Sequence, residues 1–293
     1  MIDPVSQLRA LEKKKDFFIG IDSDGCAFDS MEIKHKECFC PNFINYFDLQ
    51  PVSKYARDAW DFVNLYSQTR GCNRFIAVTT ALDLLRERKD VIRRNSPIPY
   101  LNELRDWVGR ETKLGNPALE QEVRNNPSPE MKNIYAWSLA VNETVAKIVR
   151  NVPPYPFVRE CLEKMQEKAD AIVVSQTPFE ALNREWTEHS IDGYIRLIAG
   201  QEMGTKTEHL KYAATGKYDP DKILMIGDAP GDMKAARNNS ALFFPIVPGK
   251  EEQSWERLFK EALGKFFDGT YKGSYEDALV NEFTASLPSH PQW

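Results

Sequence analysis

Residues 17–25 read FFIGIDSDG, and this stretch decides the fold. Its apolar half, Phe17–Ile21, is nearly continuous, which is typical of a strand buried on both faces of a sheet. The acids Asp22 and Asp24 follow where that strand would end, and open α/β sheets bind ligands at the carboxyl ends of their strands. Gly25 allows a sharp turn behind the pair. Taken alone, the motif fits a ligand site and a loop with two solvated acids equally well.

Three further apolar runs of the same kind follow, Ala171–Val174, Ile223–Ile226 and Ala241–Val247, and helical patterns separate them. Strands that alternate with helices predict a parallel sheet with crossover helices. We therefore expect an α/β fold, with a Rossmann-like core that has helices on both faces of the sheet. This core would be discontinuous and would comprise residues 1–30 and 154–250.

The interval between the first two strands, about 150 residues, is too long for a single crossover. Its apolar residues recur at helical spacing, as in Ile134, Trp137 and Val141, and prolines mark loops between the helical segments. We predict an all-helical cap domain over residues 31–153, inserted after the first strand. Residues 251–293 are predicted to form a helical extension that packs on the core, helical to about Phe267.

The bulk composition is that of an ordinary globular protein of 293 residues, with 28% charged residues and a formal net charge of -5. A mildly acidic chain shows no electrostatic footprint for nucleic acid, and no apolar run is long enough to cross a membrane. The N-terminus lacks the apolar segment of a signal peptide and resembles a short helix capped by Asp3, with Pro4 in its first turn. Five cysteines without CxxC spacing indicate a reduced, cytoplasmic protein.

A second acidic motif follows the strand Ile223–Ile226, with Asp228 directly after Gly227 and Asp232 four residues later. Carboxylates brought close together repel, so they need a cation, a shared proton or solvent. A hard cation such as Mg2+ prefers oxygen ligands, and Asp228 and Asp232 would supply those that a metal near Asp22 needs. The alternative for Asp232 is that it caps the following helix.

Two polar stretches complete the set of candidates. Ser175, Gln176 and Thr177 follow the strand Ala171–Val174, and a hydroxyl with backbone N–H groups at a helix start can hold a phosphate. The alternative is that these residues only cap the helix. Lys206 opens a later helix and could neutralise charge on a transferring phosphoryl group, although a lysine there can also be simply solvated.

These four stretches, in this order, resemble the motifs of the haloacid dehalogenase-like hydrolase superfamily. Residues 22–25, with Asp29 and Ser30 behind them, resemble the first motif, Ser175 the second, Lys206 the third and residues 227–232 the fourth. The predicted helical insertion stands at the position of the family's type 1 cap. The third motif lacks the frequent proline-containing run after its lysine, which leaves Lys211 as a weaker substitute.

The resemblance implies a role for each residue. Asp22 would attack phosphorus and form an aspartyl phosphate, and Asp24 would act as acid and then as base. Mg2+ would be held by Asp22, the backbone carbonyl of Asp24 and Asp228, with Asp232 as a ligand or as a partner of the ligands. The phosphoryl oxygens would be held by Ser175, Gln176 and Lys206.

The function implied by the resemblance is that of a Mg2+-dependent phosphatase that hydrolyses a small phosphorylated metabolite. The acid Asp24 argues against the dehalogenase, phosphonate hydrolase and ion-pump branches, whose members generally lack it. A phosphomutase of a sugar phosphate and a catalytically silent phosphate-binding regulatory protein remain as alternatives. A metal-binding DxD motif of a nucleotide-sugar transferase would leave Ser175 and Lys206 unexplained.

Within the predicted cap, Arg70 and Arg74 flank Gly71, which could break a helix and place both arginines in a turn. Arginine recognises phosphate or carboxylate by paired hydrogen bonds, so either residue is a candidate contact for an anionic substrate. The alternative is two solvated surface arginines.

Overall fold

The computed structural model describes residues 4–293, so the predicted cap Asp3 lies outside the described residues. The chain divides into two compact units. The first, called here the core unit, takes the residues up to Met31 and then Asn151–Leu287. The second, called the helical unit, takes Glu32–Arg150 and Pro288–Trp293.

The core unit contains a five-stranded parallel sheet with the order β3-β2-β1-β4-β5. Its strands are β1 Phe17–Ile21, β2 Ala169–Val174, β3 Ile198–Ala199, β4 Ile223–Gly227 and β5 Leu242–Pro245. The predicted α/β class with a parallel, Rossmann-like sheet is confirmed. The sequence predicted four of these strands and missed β3, because two residues are too few to show a pattern.

Helices make up most of the remaining chain, and none of those in the described residues is long and apolar enough to cross a membrane. Sixteen α-helices lie within residues 4–293: α1 Pro4–Arg9, α2 Ser30–Ile33, α3 Cys40–Tyr46, α4 Ser53–Asn64, α5 Arg74–Glu87, α6 Lys89–Arg93, α7 Asn102–Arg110, α8 Asn116–Asn125, α9 Pro129–Ile148, α10 Val158–Lys168, α11 Phe179–Glu188, α12 Lys206–Ala213, α13 Pro230–Asn238, α14 Glu251–Arg257, α15 Leu263–Phe267 and α16 Ser274–Ser286. Two π-helical turns, Lys34–Phe39 and Leu258–Ala262, continue into α3 and α15.

Both faces of the sheet are buried, which explains why its strands read as continuous apolar runs. Side chains alternate along β1, so that Ile19 and Ile21 join one apolar cluster and Phe18 joins the other. The first cluster is covered by α10, α11, α14 and α15, and the second by α12, α13 and α16. This two-sided packing holds the carboxyl ends of the strands in a fixed arrangement.

The helical unit has its own apolar core, built largely from aromatic rings. Trp60 and Trp137 are fully buried with ring centroids 6.3 Å apart, and Phe43 packs against Trp60 at 4.7 Å. Long helices α4, α5 and α9 supply most of this core. The unit can therefore be described as a packed helical body in its own right.

The C-terminal segment differs from the prediction in two respects. Helix α16 continues the fold past Phe267, because Leu279 and Phe283 lie one turn apart and are buried on the core unit. The last six residues cluster with the helical unit rather than with the core, so the predicted packing of all of 251–293 on the core is wrong. Trp293 holds these last residues on the helical unit, because the centroid of its ring lies 5.7 Å from that of Phe62.

A buried ionic cluster fastens the N-terminal segment to the start of β2. Asp170 is 2% exposed and accepts hydrogen bonds from the amides of Lys14 and Lys15, at 2.7 and 2.9 Å. It also accepts from the Tyr218 hydroxyl at 2.6 Å and from Arg196 at 2.8 Å. Burial by itself would raise the pKa of Asp170, but these hydrogen bonds outweigh it and the pKa is lowered.

We expect Asp170→Asn to lower the free energy of unfolding by about 2 to 4 kcal/mol at neutral pH. Because the pKa of Asp170 is lower in the folded state, its stabilisation is complete above the unfolded value of about 3.9 and is lost as the pH falls through the folded value. Urea unfolding of the wild type and the variant at pH 7 and in acid measures this difference. The exposed Asp219→Asn is the control, and an equal loss in both variants would contradict the expectation.

Candidate active site

The acid Asp22 lies directly after β1, where the sheet ends. Its amide donates to the carbonyl of Ile226 at 2.9 Å, which continues the pairing of β1 with β4 by one residue. Its side chain is 6% exposed; Oδ1 accepts from the Ser23 amide at 2.8 Å, and Oδ2 accepts from Lys206 Nζ at 2.7 Å. The carboxylate is thereby fixed in place at the carboxyl edge of the sheet.

The turn that follows Asp22 places the second acid. Gly25 has φ +74°, a left-handed conformation that favours glycine, and its amide donates to the carbonyl of Phe28 at 2.8 Å. Asp24 Oδ1 accepts from the Ser30 hydroxyl at 2.5 Å, and Oδ2 accepts from the Thr177 hydroxyl at 2.6 Å. Two hydroxyl groups from different parts of the chain therefore hold the Asp24 carboxylate.

Both tryptophans of the core unit donate hydrogen bonds to the turn formed by residues 23–26. Trp186 Nε1 donates to the Ser23 hydroxyl at 3.0 Å, and that hydroxyl lies 3.1 Å from a carboxylate oxygen of Glu185. Trp255 Nε1 donates to the carbonyl of Cys26 at 2.7 Å. Each indole replaces a bond that the buried turn could not make to water.

The fourth motif contributes two acids at the end of β4. Asp228 is buried directly after the strand, and Asp232 lies in the first turn of α13. Asp232 Oδ2 accepts from the amides of Asp228 and Ala229, at 3.2 and 3.0 Å, so from the third helical position it bonds back to the amide of the N-cap residue Ala229. Its Oδ1 accepts from Lys206 at 2.6 Å, so Asp232 serves both the helix and the site.

Gly227 is required by the close approach of Asp232. A Cβ atom at position 227 would lie 2.4 Å from Asp232 Cβ and Cγ and 2.5 Å from Oδ2. No side chain fits within such distances, so any larger residue would displace the carboxylate. Gly227, at the end of β4, thus allows the Asp232 side chain to pack directly against the backbone of residue 227.

Asp22, Asp228 and Asp232 form one cluster of buried acids. Each offers a ligand oxygen within 4.8 Å of the others. Carboxylate oxygens are the ligands that Mg2+ prefers, and a magnesium site commonly uses few carboxylates with waters and substrate phosphates in the remaining positions. The donor set of this cluster therefore fits a divalent hard cation.

The third motif brings a lysine to these acids through the start of α12. Gly204 has φ +111°, and Thr205 caps the helix in a capping box with Glu208. Lys206 is the first residue of the helix, and its Nζ lies within 2.7 Å of both Asp22 and Asp232. Lys211 is exposed on the same helix, so the geometry favours Lys206 as the third-motif lysine.

The electrostatics of the cluster depend on this lysine. Burial raises the pKa of Asp22 well above its usual range, the charge of Lys206 opposes that rise, and Asp232 and Asp228 add to it. Burial lowers the pKa of Lys206, but its attraction to Asp22 and Asp232 outweighs burial and the pKa is raised. A bound divalent cation would favour the ionised form of Asp22 in the same way as Lys206 does.

The second motif lies beside the first, at the end of β2. Ser175 is buried, its amide donates to the carbonyl of Ala199 at 3.0 Å, and its hydroxyl accepts from the Thr177 amide at 3.2 Å. Gln176 is exposed and donates to the carbonyl of Gly204 at 2.9 Å, which links it to the loop before α12.

The expected row of free amides at the start of α11 is only partly present. The Phe179 amide, the first of the helix, donates to the Glu202 carboxylate at 3.1 Å. Glu202 therefore caps α11 from another segment of the chain. The Phe179 amide is therefore already used by Glu202 rather than left for a phosphate near Ser175.

Arg70 and Arg74 lie in the helical unit, and neither is a solvated surface arginine. Arg70 is 5% exposed in the turn after α4, and its Nη1 donates to the carbonyl of Leu65 at 2.8 Å. Arg74 is half-buried as the first residue of α5, and Gly71 between them has φ +73°. The turn that Gly71 was expected to form is present.

Two contacts of the site were not predicted from the sequence. The sequence predicts Thr177 only as a helix cap or a phosphate ligand, whereas its hydroxyl donates to Asp24. The sequence places Ser30 behind the first motif but predicts no contact for it, whereas its hydroxyl also donates to Asp24. Thr177 stands two residues after Ser175, and Ser30 six after Asp24, so spacing alone gives no signal for these contacts.

One family model matches part of the chain. Residues 110–244 match the family model described as haloacid dehalogenase-like hydrolase, and this range contains Ser175, Lys206, Asp228 and Asp232. No curated protein matches the chain at a significant level.

Several solved structures resemble the chain distantly. A haloacid dehalogenase superfamily hydrolase of subfamily IA from Geobacter sulfurreducens has 16% identity and a TM-score of 0.40, and covers 80% of this chain and 88% of its own. A putative phosphoglycolate phosphatase from Lactobacillus delbrueckii has 17% identity and a TM-score of 0.45, and the match covers 78% of this chain and 85% of that protein. A putative beta-phosphoglucomutase from Bacteroides vulgatus has 14% identity and a TM-score of 0.45, and the match covers 88% of this chain and 93% of that protein.

The family model rests on the sequence itself, and its range includes three of the four motifs. Over residues 110–244, the chain is therefore similar to the haloacid dehalogenase-like hydrolases, in agreement with the order of those motifs.

Proposed function

We propose that the protein is a phosphatase that requires Mg2+ and hydrolyses a small phosphorylated metabolite through an aspartyl phosphate on Asp22. The observation that carries this proposal is the contact of Lys206 with Asp22 and Asp232 inside the cluster of buried acids. Such an arrangement holds an anionic nucleophile beside a fixed positive charge. That combination suits attack on a phosphoryl group, whose oxygens carry negative charge.

Asp22 would act as the nucleophile. One of its carboxylate oxygens forms a bond to phosphorus, and the bond from phosphorus to the ester oxygen breaks. Asp24, in its protonated form, would give its proton to the departing alcohol oxygen. Lys206, Ser175 and Gln176 would hold the phosphoryl oxygens during this step.

Asp24 would then act as the base for the second step. It takes a proton from water, the water oxygen bonds to phosphorus, and the bond between phosphorus and Asp22 breaks to release inorganic phosphate. The hydroxyls of Ser30 and Thr177 both donate to Asp24, which favours the carboxylate form that a base needs.

Mg2+ would be held by Asp22, Asp228 and the backbone carbonyl of Asp24. Asp232 already accepts two amides and Lys206, which supports a role as a partner of the ligands rather than as a direct ligand. Bound Mg2+ would neutralise negative charge on the phosphoryl group. A cytoplasmic location belongs to the same proposal and fits the five free cysteines.

A screen of phosphate esters, with release of inorganic phosphate as the readout, tests the proposal. We expect at least one ester to be hydrolysed with Mg2+, and EDTA to lower the rate by about 100-fold or more, because a metal contributes several kcal/mol to transition-state stabilisation. Added Mg2+ should restore the rate, whereas the larger Ca2+ should not. Hydrolysis that proceeds equally in EDTA would contradict a metal-dependent mechanism, and an isomeric ester as product would indicate a phosphomutase.

A further inference from the structure

A groove opens at the amino ends of β1 and β2, within the core unit. It has a volume of about 630 Å3 and is lined by residues 13–17, by Glu167 and Lys168 at the end of α10, and by Phe267. Sites for small molecules have volumes of roughly 300 to 1,000 Å3. Asp22 follows the opposite end of β1, and five residues of strand span roughly 17 Å, so a ligand in this groove would not contact the candidate active site.

Lysines dominate the charge of the groove. Two acids and four lysines line it, the lysines being Lys13, Lys14, Lys15 and Lys168. The chain as a whole carries a formal net charge of -5, so this groove has the opposite sign to the rest of the protein. A local excess of positive charge in a concave surface raises the concentration of anions there.

The ammonium groups of these lysines have few partners. Lys15 Nζ donates to the carbonyl of Glu167 at 3.3 Å. The Nζ atoms of Lys13 and Lys168 lie over aromatic rings, at 5.1 and 5.4 Å from the ring centres. Lys14 is exposed, and its side chain has no hydrogen-bond partner among residues 4–293. None of the four forms an ion pair with an acid in that part of the chain.

Other lysines of the core unit provide the contrast. Six of them lie within 4.0 Å of a carboxylate oxygen: Lys206, Lys222, Lys250, Lys260, Lys265 and Lys272. Four ammonium groups around one groove repel each other, and without carboxylate partners only water and mobile ions offset that repulsion. A bound anion with several charges would offset it directly.

The segment that carries three of these lysines is held firmly on the core unit. The buried carboxylate of Asp170 accepts the amides of Lys14 and Lys15, as described above. Lys217 Nζ donates to three carbonyls earlier in the segment, those of residues 8, 9 and 11, at 3.0 to 3.2 Å. The backbone beneath the lysines is therefore ordered before any ligand binds, which lowers the entropy cost of binding.

Two aromatic rings form an apolar wall of the groove. Phe17 and Phe267 are partly buried, with ring centroids 5.1 Å apart and an edge-to-face arrangement. The buried ring of Phe266 lies 5.0 Å from that of Phe17 and supports it. A ligand that joins an anionic group to an apolar or planar part would find a surface for each.

We propose that this groove is a binding site for the diphosphate or triphosphate group of a small molecule. Lysine binds phosphate as a point charge, and no arginine, whose planar fork also suits carboxylates, belongs to the described lining. The group could come from a nucleotide, whose base would contact Phe17 and Phe267, or from a free inorganic oligophosphate. The competing explanation is that Lys15 only stabilises the C-terminus of α10 and that the other lysines are solvated.

Calorimetric titration of the full chain with inorganic triphosphate tests the proposal, in EDTA and at low ionic strength. We expect saturable binding with a Kd below about 1 mM, and a Kd about tenfold higher in Lys14→Gln/Lys168→Gln, which removes one charge from each side of the groove. The control is Lys211→Gln/Lys260→Gln, which removes two exposed charges elsewhere in the same unit and should change Kd by less than about twofold. No saturable binding, or an equal loss in both double variants, would overturn the proposal.

Lysine acetylation followed by mass spectrometry gives a readout on the unaltered chain. Triphosphate should slow the acetylation of Lys14 and Lys168 and leave Lys211 and Lys260 unaffected; equal rates at all four would contradict a site in the groove. ATP then identifies the source of the group. Binding of ATP about tenfold tighter than that of inorganic triphosphate would assign the site to a nucleotide, and equal binding would assign it to a free oligophosphate.

Discussion

Asp22→Asn is expected to lower kcat for ester hydrolysis by about four orders of magnitude or more, to the background rate of the assay. The amide nearly matches the carboxylate in size, so it can still accept from Ser23, but it cannot attack phosphorus. The variant should fold like the wild type. Its thermal midpoint should not fall, because burial raises the pKa of Asp22 and so disfavours its charged form.

The measurement is single-turnover release of phosphate, with Asp219→Asn as a matched change of an exposed acid in the same unit. Beryllium fluoride, a mimic of the phosphoryl group, should bind the wild type with Mg2+ and should not bind Asp22→Asn. An Asp22→Asn enzyme that keeps more than about a hundredth of the wild-type rate would refute the covalent mechanism.

Lys206→Met should have the second largest effect, lowering kcat/KM by about 1,000-fold. Loss of the ammonium group removes an anchor for the phosphoryl oxygens. It also leaves Asp22 and Asp232 without the charge that opposes their repulsion, so the pKa of Asp22 should rise further and less of the nucleophile should be ionised.

Lys211→Met is the control, because Lys211 is exposed on the same helix and is the other lysine that the third motif allows. Mg2+ binding, measured by calorimetry, should persist in Lys206→Met, since the three acids remain. If Lys211→Met lost activity and Lys206→Met kept it, the assignment of the third motif would be wrong.

The parts of the fold that the sequence predicted are those with a strong local pattern. The runs Phe17–Ile21 and Ile223–Ile226 are buried on both faces, and their length and composition predicted β1 and β4 to within one residue. Strand β3 has two residues, and its position is set by pairing with β2 rather than by its own composition. The packing of Trp293 on the helical unit likewise depends on a residue far away in sequence, Phe62.

The site shows the same division between local and distant causes. Motif spacing predicted which acids and which lysine to consider, because each follows a strand or opens a helix. The contact between Thr177 and Asp24 joins residues 153 positions apart, and nothing in either segment encodes it. The cap on α11 is similar, since Glu202 comes from a different turn.

The two indoles beneath the first-motif turn have a spectroscopic consequence. Of the six tryptophans in the chain, only Trp186 and Trp255 belong to the core unit, and both donate to the turn of residues 23–26. The fluorescence of an indole is sensitive to the field and the hydrogen bond at its nitrogen. With the four tryptophans of the helical unit replaced by phenylalanine, emission would come only from the two fluorophores bonded to the loop that carries Asp24, so the chain contains its own optical probe of that loop.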